Sequence, residues 1–304
     1  MPTNDNSYII DAQSGNGFNA ETFLKNYWQQ KPVVIKHFFD NFVDPIDEND
    51  LAGLAQESEV DARIISNVKG SWHVEQGPIT DFDNACQGKW TLLVQGVDKY
   101  VPDVTPLLDP FSFIPNWRLD DLMVSFATNG AGVGAHIDQY DVFLVQGKGR
   151  RRWRVGKPAD YKEVFPHPKL RQIEGFDPVI DVVVEPGDVV YVPPGWPHDG
   201  ATIEDSLTYS VGYRAPDNLQ LAESLAMMLD KGAHNYRFTD ASRSLQGNRA
   251  WVNPSDVAIL KQQLIDAING EDFTLALLEA MSEQGIPEYP LEDEVSLEQI
   301  SNKF

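Results

Sequence analysis

Three residues in this chain have the types and spacing to do metal chemistry. His136 and Asp138 form a His-x-Asp step, and His198 closes the run Pro193-Pro194-Gly195-Trp196-Pro197-His198. Two imidazoles and one carboxylate are what a facial Fe(II) site needs. Such a triad covers one face of an octahedral ion and leaves the opposite face open for a substrate and O2. The chemistry indicated is oxygen activation rather than a structural metal. A His-x-Asp step by itself recurs by chance in many sequences, so its surroundings must carry the argument.

Those surroundings are strands and tight turns. Side chains alternate along a strand, so if His136 and Asp138 face a barrel interior, Tyr140 does too. The approach Gly130-Ala131-Gly132-Val133-Gly134 lets backbone pass close to a metal or ligand. Pro186-Gly187-Asp188, Val189–Val192 and the proline-rich run read as a turn, a strand and a rigid turn that presents His198. On an earlier strand Asp121, Met123 and Ser125 share one parity, with Leu122, Val124 and Phe126 facing the other way into packing. A buried carboxylate needs a partner, and for Asp121 that partner is expected to be a substrate. Gln146-Gly147-Lys148-Gly149 reads as a hairpin-type turn, and Arg150–Val155 as the returning strand. There Arg151, Trp153 and Val155 face inward, while Arg150, Arg152 and Arg154 form a solvated face. An inward guanidinium demands an anion, and its fork matches a carboxylate; the alternative is a structural salt bridge. His37, His73, His167 and His234 lack such companions and read as ordinary residues.

Composition narrows the class. At 304 residues the chain has room for one large domain and a smaller partner, and its 42% hydrophobic content describes a packed globular protein. The single cysteine, Cys86, excludes an internal disulfide framework and fits a reducing compartment. No stretch approaches the roughly 20 apolar residues of a membrane span, and the N-terminus lacks signal-peptide features. A cytoplasmic location is expected. The net charge of −22 disfavours a direct nucleic-acid partner and suits steering of a basic protein, although acidity serves solubility equally well.

The elements follow from periodicity. Asn19 caps a helix running to about Trp28, Val33–Ile35 is a buried strand, and Asp50–Gln56 a second helix. From about Ala62 to Tyr213 some eight short strands separated by Gly and Pro predict a mainly β double-stranded β-helix, a jelly roll of the cupin type. Beyond Pro216 three apolar stripes recur at helical spacing: Leu221, Leu225, Met228 and Leu229; Val257, Leu260, Leu264 and Ile268; Phe273, Leu277, Leu278 and Met281. They are expected to pack on the β-domain or on a second copy of themselves.

The entry Tyr27–Ile35, the stretch HIDQYDVFLVQGKGRRRWRVG, PGDVVYVPPGWPHDG and SVGYRAP together resemble the bacterial JmjC-type ribosomal oxygenases. The resemblance extends from about residue 20 to 215. It implies an Fe(II)- and 2-oxoglutarate-dependent hydroxylase acting on an arginine of a large-subunit ribosomal protein. It makes His136, Asp138 and His198 the iron ligands, and Arg151 with Ser125 the partners of the distal carboxylate of 2-oxoglutarate. Asp121, Met123 and Tyr140 match the substrate-arginine pocket. The three divisions implied are an oxygenase domain over 1–215, a helical region over 216–285 that makes a homodimer, and a tail over 286–304. That tail is too short for the winged-helix domain usual in the family, so a removed or reduced C-terminal domain is expected. The rivals are a histidine-directed hydroxylase or a demethylase with the same triad, a metal-dependent cupin that does not use 2-oxoglutarate, and a non-catalytic binding protein. The second leaves an inward Arg151 unexplained, and the third predicts no metal binding.

Overall fold

The computed structural model describes residues 8–14, 17–232, 236–241, 250 and 252–282. His234 and the tail over 286–304 lie outside them. The first elements are β1 (Ile9–Asp11), α1 (Ala20–Asn26), β2 (Val33–Lys36) and α2 (Glu48–Leu54). Asn19 caps α1 by accepting from the Thr22 N–H, and Asp47 and Asp50 form a capping box on α2. Each such cap contributes about 1 kcal/mol. Next come β3 (Ala62–Val68), β4 (Ser71–Gln76), the single turn α3 (Phe82–Ala85), β5 (Lys89–Val94) and β6 (Leu119–Ala127). Then follow β7 (His136–Ile137), β8 (Asp141–Gln146), β9 (Arg151–Gly156), β10 (Glu163–His167), β11 (Leu170–Ile173) and β12 (Pro178–Val184). The β-region closes with β13 (Val189–Val192), β14 (Pro197–Thr202) and β15 (Ser206–Tyr213).

Nine of these strands form one sheet in the order β1-β2-β13-β8-β15-β6-β5-β3-β4, and four form a second in the order β12-β9-β14-β7. The large sheet carries helices against one face. There Phe23 of α1 and Leu51 of α2 join Leu122, Val124, Phe143, Tyr191 and Val211 in the main core. Its other face meets the small sheet across a second apolar cluster that includes Val142, Leu144, Trp153, Val155, Val190 and Val192. The two opposed sheets are the double-stranded β-helix expected.

One local expectation fails. Gln146–Gly149 does not close a hairpin, because β8 pairs with β13 and β15 while β9 pairs with β12 and β14. The turn instead carries the chain from one sheet to the other. Gln146 holds this crossover with its buried amide, which donates to the carbonyl of Leu207 at 3.1 Å. Turn chemistry is the same for a hairpin and a crossover; long-range pairing decides between them.

Contacts divide the chain into two compact units. One spans residues 1–114 and 119–214, and the other comprises 115–118 and 215–304. The second contains α4 (Asn218–Asp230), α5 (Pro254–Ile268) and α6 (Glu271–Ser282), packed about Met228, Ala267 and Phe273. Asn253 caps α5 as its Asn-Pro-Ser start predicts. The α5 stripe Val257, Leu260, Leu264 and Ile268 stays exposed. No helix among the described residues is long and apolar enough to cross a membrane.

Candidate active site

Strand register brings the two histidines together. His198 of β14 stands directly opposite His136 of β7, so both side chains leave the same face. Their rings lie 4.3 Å apart between centroids. The proline turn is fastened to the His-x-Asp segment by the Gly195 N–H, which donates to the Asp138 carbonyl at 2.8 Å. The Asp138 carboxylate lies 3.6 Å from His136 Nε2 and 3.5 Å from His198 Nε2. One donor atom from each residue lies within 4.8 Å of the other two. Ligands at right angles on an ion with bonds of about 2.1 Å stand about 3 Å apart, so a small contraction suffices to bind.

The orientation of the imidazoles suits this use. His136 Nδ1 faces the Gly134 carbonyl at 2.9 Å, and His198 Nδ1 faces the Trp196 carbonyl at 3.1 Å. A carbonyl partner keeps the proton on Nδ1 and leaves Nε2 with its lone pair toward the metal. Burial alone raises the Asp138 pKa, but His136 and His198 outweigh it and hold the carboxyl below its usual range. Burial, reinforced by repulsion from His136, pushes His198 down to about 4, so it is a neutral ligand at physiological pH. Burial pulls His136 down too, yet its contact with Asp138 wins and the net direction is upward. Burial and the Asp138 charge raise Tyr140, which keeps its phenol proton and donates to that carboxylate. The donor set fits an Fe(II) ion of the facial-triad kind.

Glycine matters at the approach to His136. A Cβ on Gly132 would lie 2.2 Å from the Gly200 carbonyl oxygen of β14. Gly134 has φ of +82°, and a Cβ there would lie 2.2 Å from Gln172 Nε2. Gln172 donates to the Val133 carbonyl at 2.7 Å, and the Ile173 N–H to the Ala135 carbonyl at 2.9 Å. Strand β11 thus buttresses the approach to the strand that carries the ligand, a contact that nothing local in the sequence signals.

The triad opens into a cavity of about 1010 Å³. Asp121, Met123, Ser125, Tyr140 and Arg151 all line it with the three candidate ligands. Side chains on β6 therefore alternate as expected: Leu122, Val124 and Phe126 turn into the main core. They do so on β9 as well, where Arg151, Trp153 and Val155 are buried. Arg150, Arg152 and Arg154 pair outward with Glu204, Asp181 and Asp199.

Arg151 is 5% exposed and has no carboxylate partner among the described residues; its Nε and Nη2 lack any hydrogen-bond acceptor. Burial lowers its pKa to about 10, so it remains a cation at neutral pH. An unpaired buried guanidinium costs the fold several kcal/mol, which an anionic ligand would offset. This disposes of the structural salt bridge.

Asp121 accepts from the Gly96 N–H at 2.9 Å and makes no salt bridge among the described residues: Arg214 pairs with Asp120 at 2.7 Å, and Lys99 acts on Asp121 only through its charge at longer range. Burial, aided by repulsion from Asp120 and Asp98, raises Asp121 from 3.8 to about 6. The folded protein therefore keeps this proton between about pH 4 and pH 6, where the unfolded chain has already lost it. Stability falls as pH rises through that window, and the penalty is complete above it, amounting to roughly 3 kcal/mol. Asp121→Asn is expected to raise Tm at pH 7.5, with the advantage vanishing near pH 4; calorimetry at the two pH values checks this.

This jelly roll, with two histidines and a carboxylate converging on a cavity that ends in a buried arginine, is the architecture of a JmjC-type oxygenase. A JmjC domain model matches residues 106–221. The chain belongs to the JmjC-domain ribosomal oxygenases. It is 44% identical over 252 residues to the ribosomal protein uL16 3-hydroxylase of Escherichia coli K12, covering 83% of this chain and 68% of that one. A probable ribosomal oxygenase of Haemophilus influenzae is 40% identical over 210 residues, 68% of this chain and 52% of its own length. The structure of the Escherichia coli ribosomal oxygenase YcfD in complex with cobalt and 2-oxoglutarate superposes with a TM-score of 0.82 at 39% identity. That match covers 94% of this chain and 77% of the other.

Proposed function

We propose that this protein is an Fe(II)- and 2-oxoglutarate-dependent hydroxylase of an arginine side chain in a large-subunit ribosomal protein. The observation that carries this reading is the buried, unpaired Arg151 guanidinium lining the same cavity as the His136, Asp138 and His198 donor set. A metal site alone would suit many cupins. A fixed cation beside it suits a cosubstrate that chelates at one end and carries a second carboxylate at the other. The solved relative holding cobalt and 2-oxoglutarate supports the pairing.

In this reading His136, Asp138 and His198 hold the ion, and Arg151 with Ser125 binds the distal carboxylate. When bound, iron and 2-oxoglutarate supply oxygen activation coupled to decarboxylation. The protein's task is positioning. Asp121 fixes a substrate guanidinium by a charge-assisted pair, and Met123 and Tyr140 contact its methylene stem. Ionised Asp121 then exchanges its cost in the free enzyme for a partner in the complex, as expected of a group kept for binding. The cavity walls keep bulk water from the reacting C–H bond. A ribosomal protein is the substrate class because the Escherichia coli relative is named for uL16, and an acidic chain suits a basic partner. Succinate release tests the reading: it should require 2-oxoglutarate and rise when substrate is added. Turnover indifferent to 2-oxoglutarate would favour a cupin of another chemistry.

The oxygenase domain is assigned to 1–215, a helical dimerisation region to 216–285 and a tail to 286–304. The dimer rests on α5: its Val257, Leu260, Leu264 and Ile268 are between 39% and 53% exposed, an apolar stripe suited to the same stripe of a second copy. Light scattering is expected to give twice the chain mass, with Leu264→Lys shifting it toward one. A wild-type mass of one chain would contradict the dimer.

A further inference from the structure

One polar group in the cavity wall has no part in the reading above. Thr91 lies on β5 and shares its parity with Leu93 and Gln95, and all three line the cavity. Leu92 and Val94 turn the other way into the main core, with Trp90 packed against it. Thr91 is 1% exposed, and its Oγ1 has no hydrogen-bond partner among the described residues. Buried hydroxyls are rarely left so, and valine would fill the same space with no polar atom to satisfy. A hydroxyl kept here requires a use.

The registers place that hydroxyl. Thr91 pairs with Ala127 and Leu93 with Ser125, so Thr91 is the diagonal neighbour of Ser125 on one face of the sheet. Just past Ala127, the Thr128 carbonyl accepts from the Thr202 hydroxyl at 2.6 Å, and the Ala131 N–H donates back to that hydroxyl at 3.2 Å. Thr202 is in turn the cross-strand partner of Arg151. A continuous path of paired backbone thus joins Thr91 to Arg151, with Ser125 beside it. These three buried side chains bring donors to the cavity wall, and none has a carboxylate partner among the described residues.

We propose that Thr91 is a third binding residue of the carboxylate subsite, its hydroxyl donating a hydrogen bond to the same distal carboxylate that Arg151 and Ser125 receive. This rests on the reading of the cavity as a 2-oxoglutarate site. The chemical class recognised is a dicarboxylate with one end on the metal. Two strands of the large sheet then contribute one hydroxyl each, opposite the guanidinium from the small sheet. A carboxylate oxygen accepts more than one hydrogen bond, so the groups need not compete.

The test is calorimetric titration of 2-oxoglutarate into Mn(II)-loaded protein without O2, for wild type, Thr91→Val and Thr91→Ser. A hydrogen bond to a charged group predicts roughly a tenfold or greater loss of affinity in Thr91→Val. Thr91→Ser, which keeps the hydroxyl, is expected to stay within about threefold of wild type on the same grounds. Mn(II) affinity should be unchanged in both. In turnover, Thr91→Val should raise the KM for 2-oxoglutarate and leave kcat at saturation near wild type. Wild-type affinity in Thr91→Val, or equal losses in the valine and serine variants, would overturn the role of the hydroxyl while leaving the cosubstrate site intact. Failure of the wild type itself to bind 2-oxoglutarate would overturn the parent reading and this one with it.

Discussion

Asp138→Ala is expected to lose Fe(II) binding by more than about a hundredfold and, with it, all measurable succinate formation. Removing even an outer partner of a metal ligand costs 10–100-fold in affinity, so removing a ligand should cost more. Asp138 is the single anionic donor of the set and lies within 3.6 Å of both imidazoles. Without it two neutral or partly charged histidines face the ion alone, and they repel each other when protonated. The fold should survive, because the triad borders a cavity rather than the main core. Calorimetric titration of Fe(II) under anaerobic conditions, alongside circular dichroism, checks both halves. Affinity within tenfold of wild type would remove Asp138 from the ligand set.

Arg151→Ala should separate the two functions of the cavity. Loss of two charge-assisted hydrogen bonds predicts a rise in the 2-oxoglutarate requirement of about a hundredfold to a thousandfold. Fe(II) binding should stay nearly intact, since Arg151 has no contact with the donor set. Arg151→Lys keeps the charge and loses the fork, so it should fall between. The stability effect has the opposite sign from an ordinary buried deletion. Removing an unpaired buried cation relieves its desolvation, so Arg151→Met should raise Tm in the absence of 2-oxoglutarate. Equal loss of metal and 2-oxoglutarate binding would make the arginine structural.

Much of the site is legible in the sequence because its strands are two-faced. On β6 one parity is apolar and the other chemical, so Asp121, Met123 and Ser125 stand out from alternation alone, whereas on β9 Arg151 stands out as a charge on the inward face it shares with Trp153 and Val155. The strands β8, β13 and β15 are buried along their whole length and give no parity signal. The two-residue β7 and the glycine- and proline-flanked β14 are too short or too irregular to read as strands, although they carry both histidines. Their pairing, which sets His198 opposite His136, is a long-range fact. The same holds for the crossover at Gln146–Gly149. Thr91 escapes notice because a threonine in an apolar strand is ordinary. Only the β5–β6 register brings it beside Ser125. The buttress from Gln172 to Val133 is equally invisible, since the two are far apart in sequence and neither bears a distinctive motif.

The proposed function has this cavity oxidise a side chain of a ribosomal protein. Intact-mass spectrometry of large-subunit ribosomal proteins, incubated with the enzyme, Fe(II) and 2-oxoglutarate, tests it directly. The expected result is the gain of one oxygen atom by one basic protein, mapped by fragmentation to an arginine. The gain should be absent without 2-oxoglutarate and absent with Asp138→Ala. Unchanged masses across the large-subunit proteins, with wild-type enzyme that binds both Fe(II) and 2-oxoglutarate, would contradict the assignment.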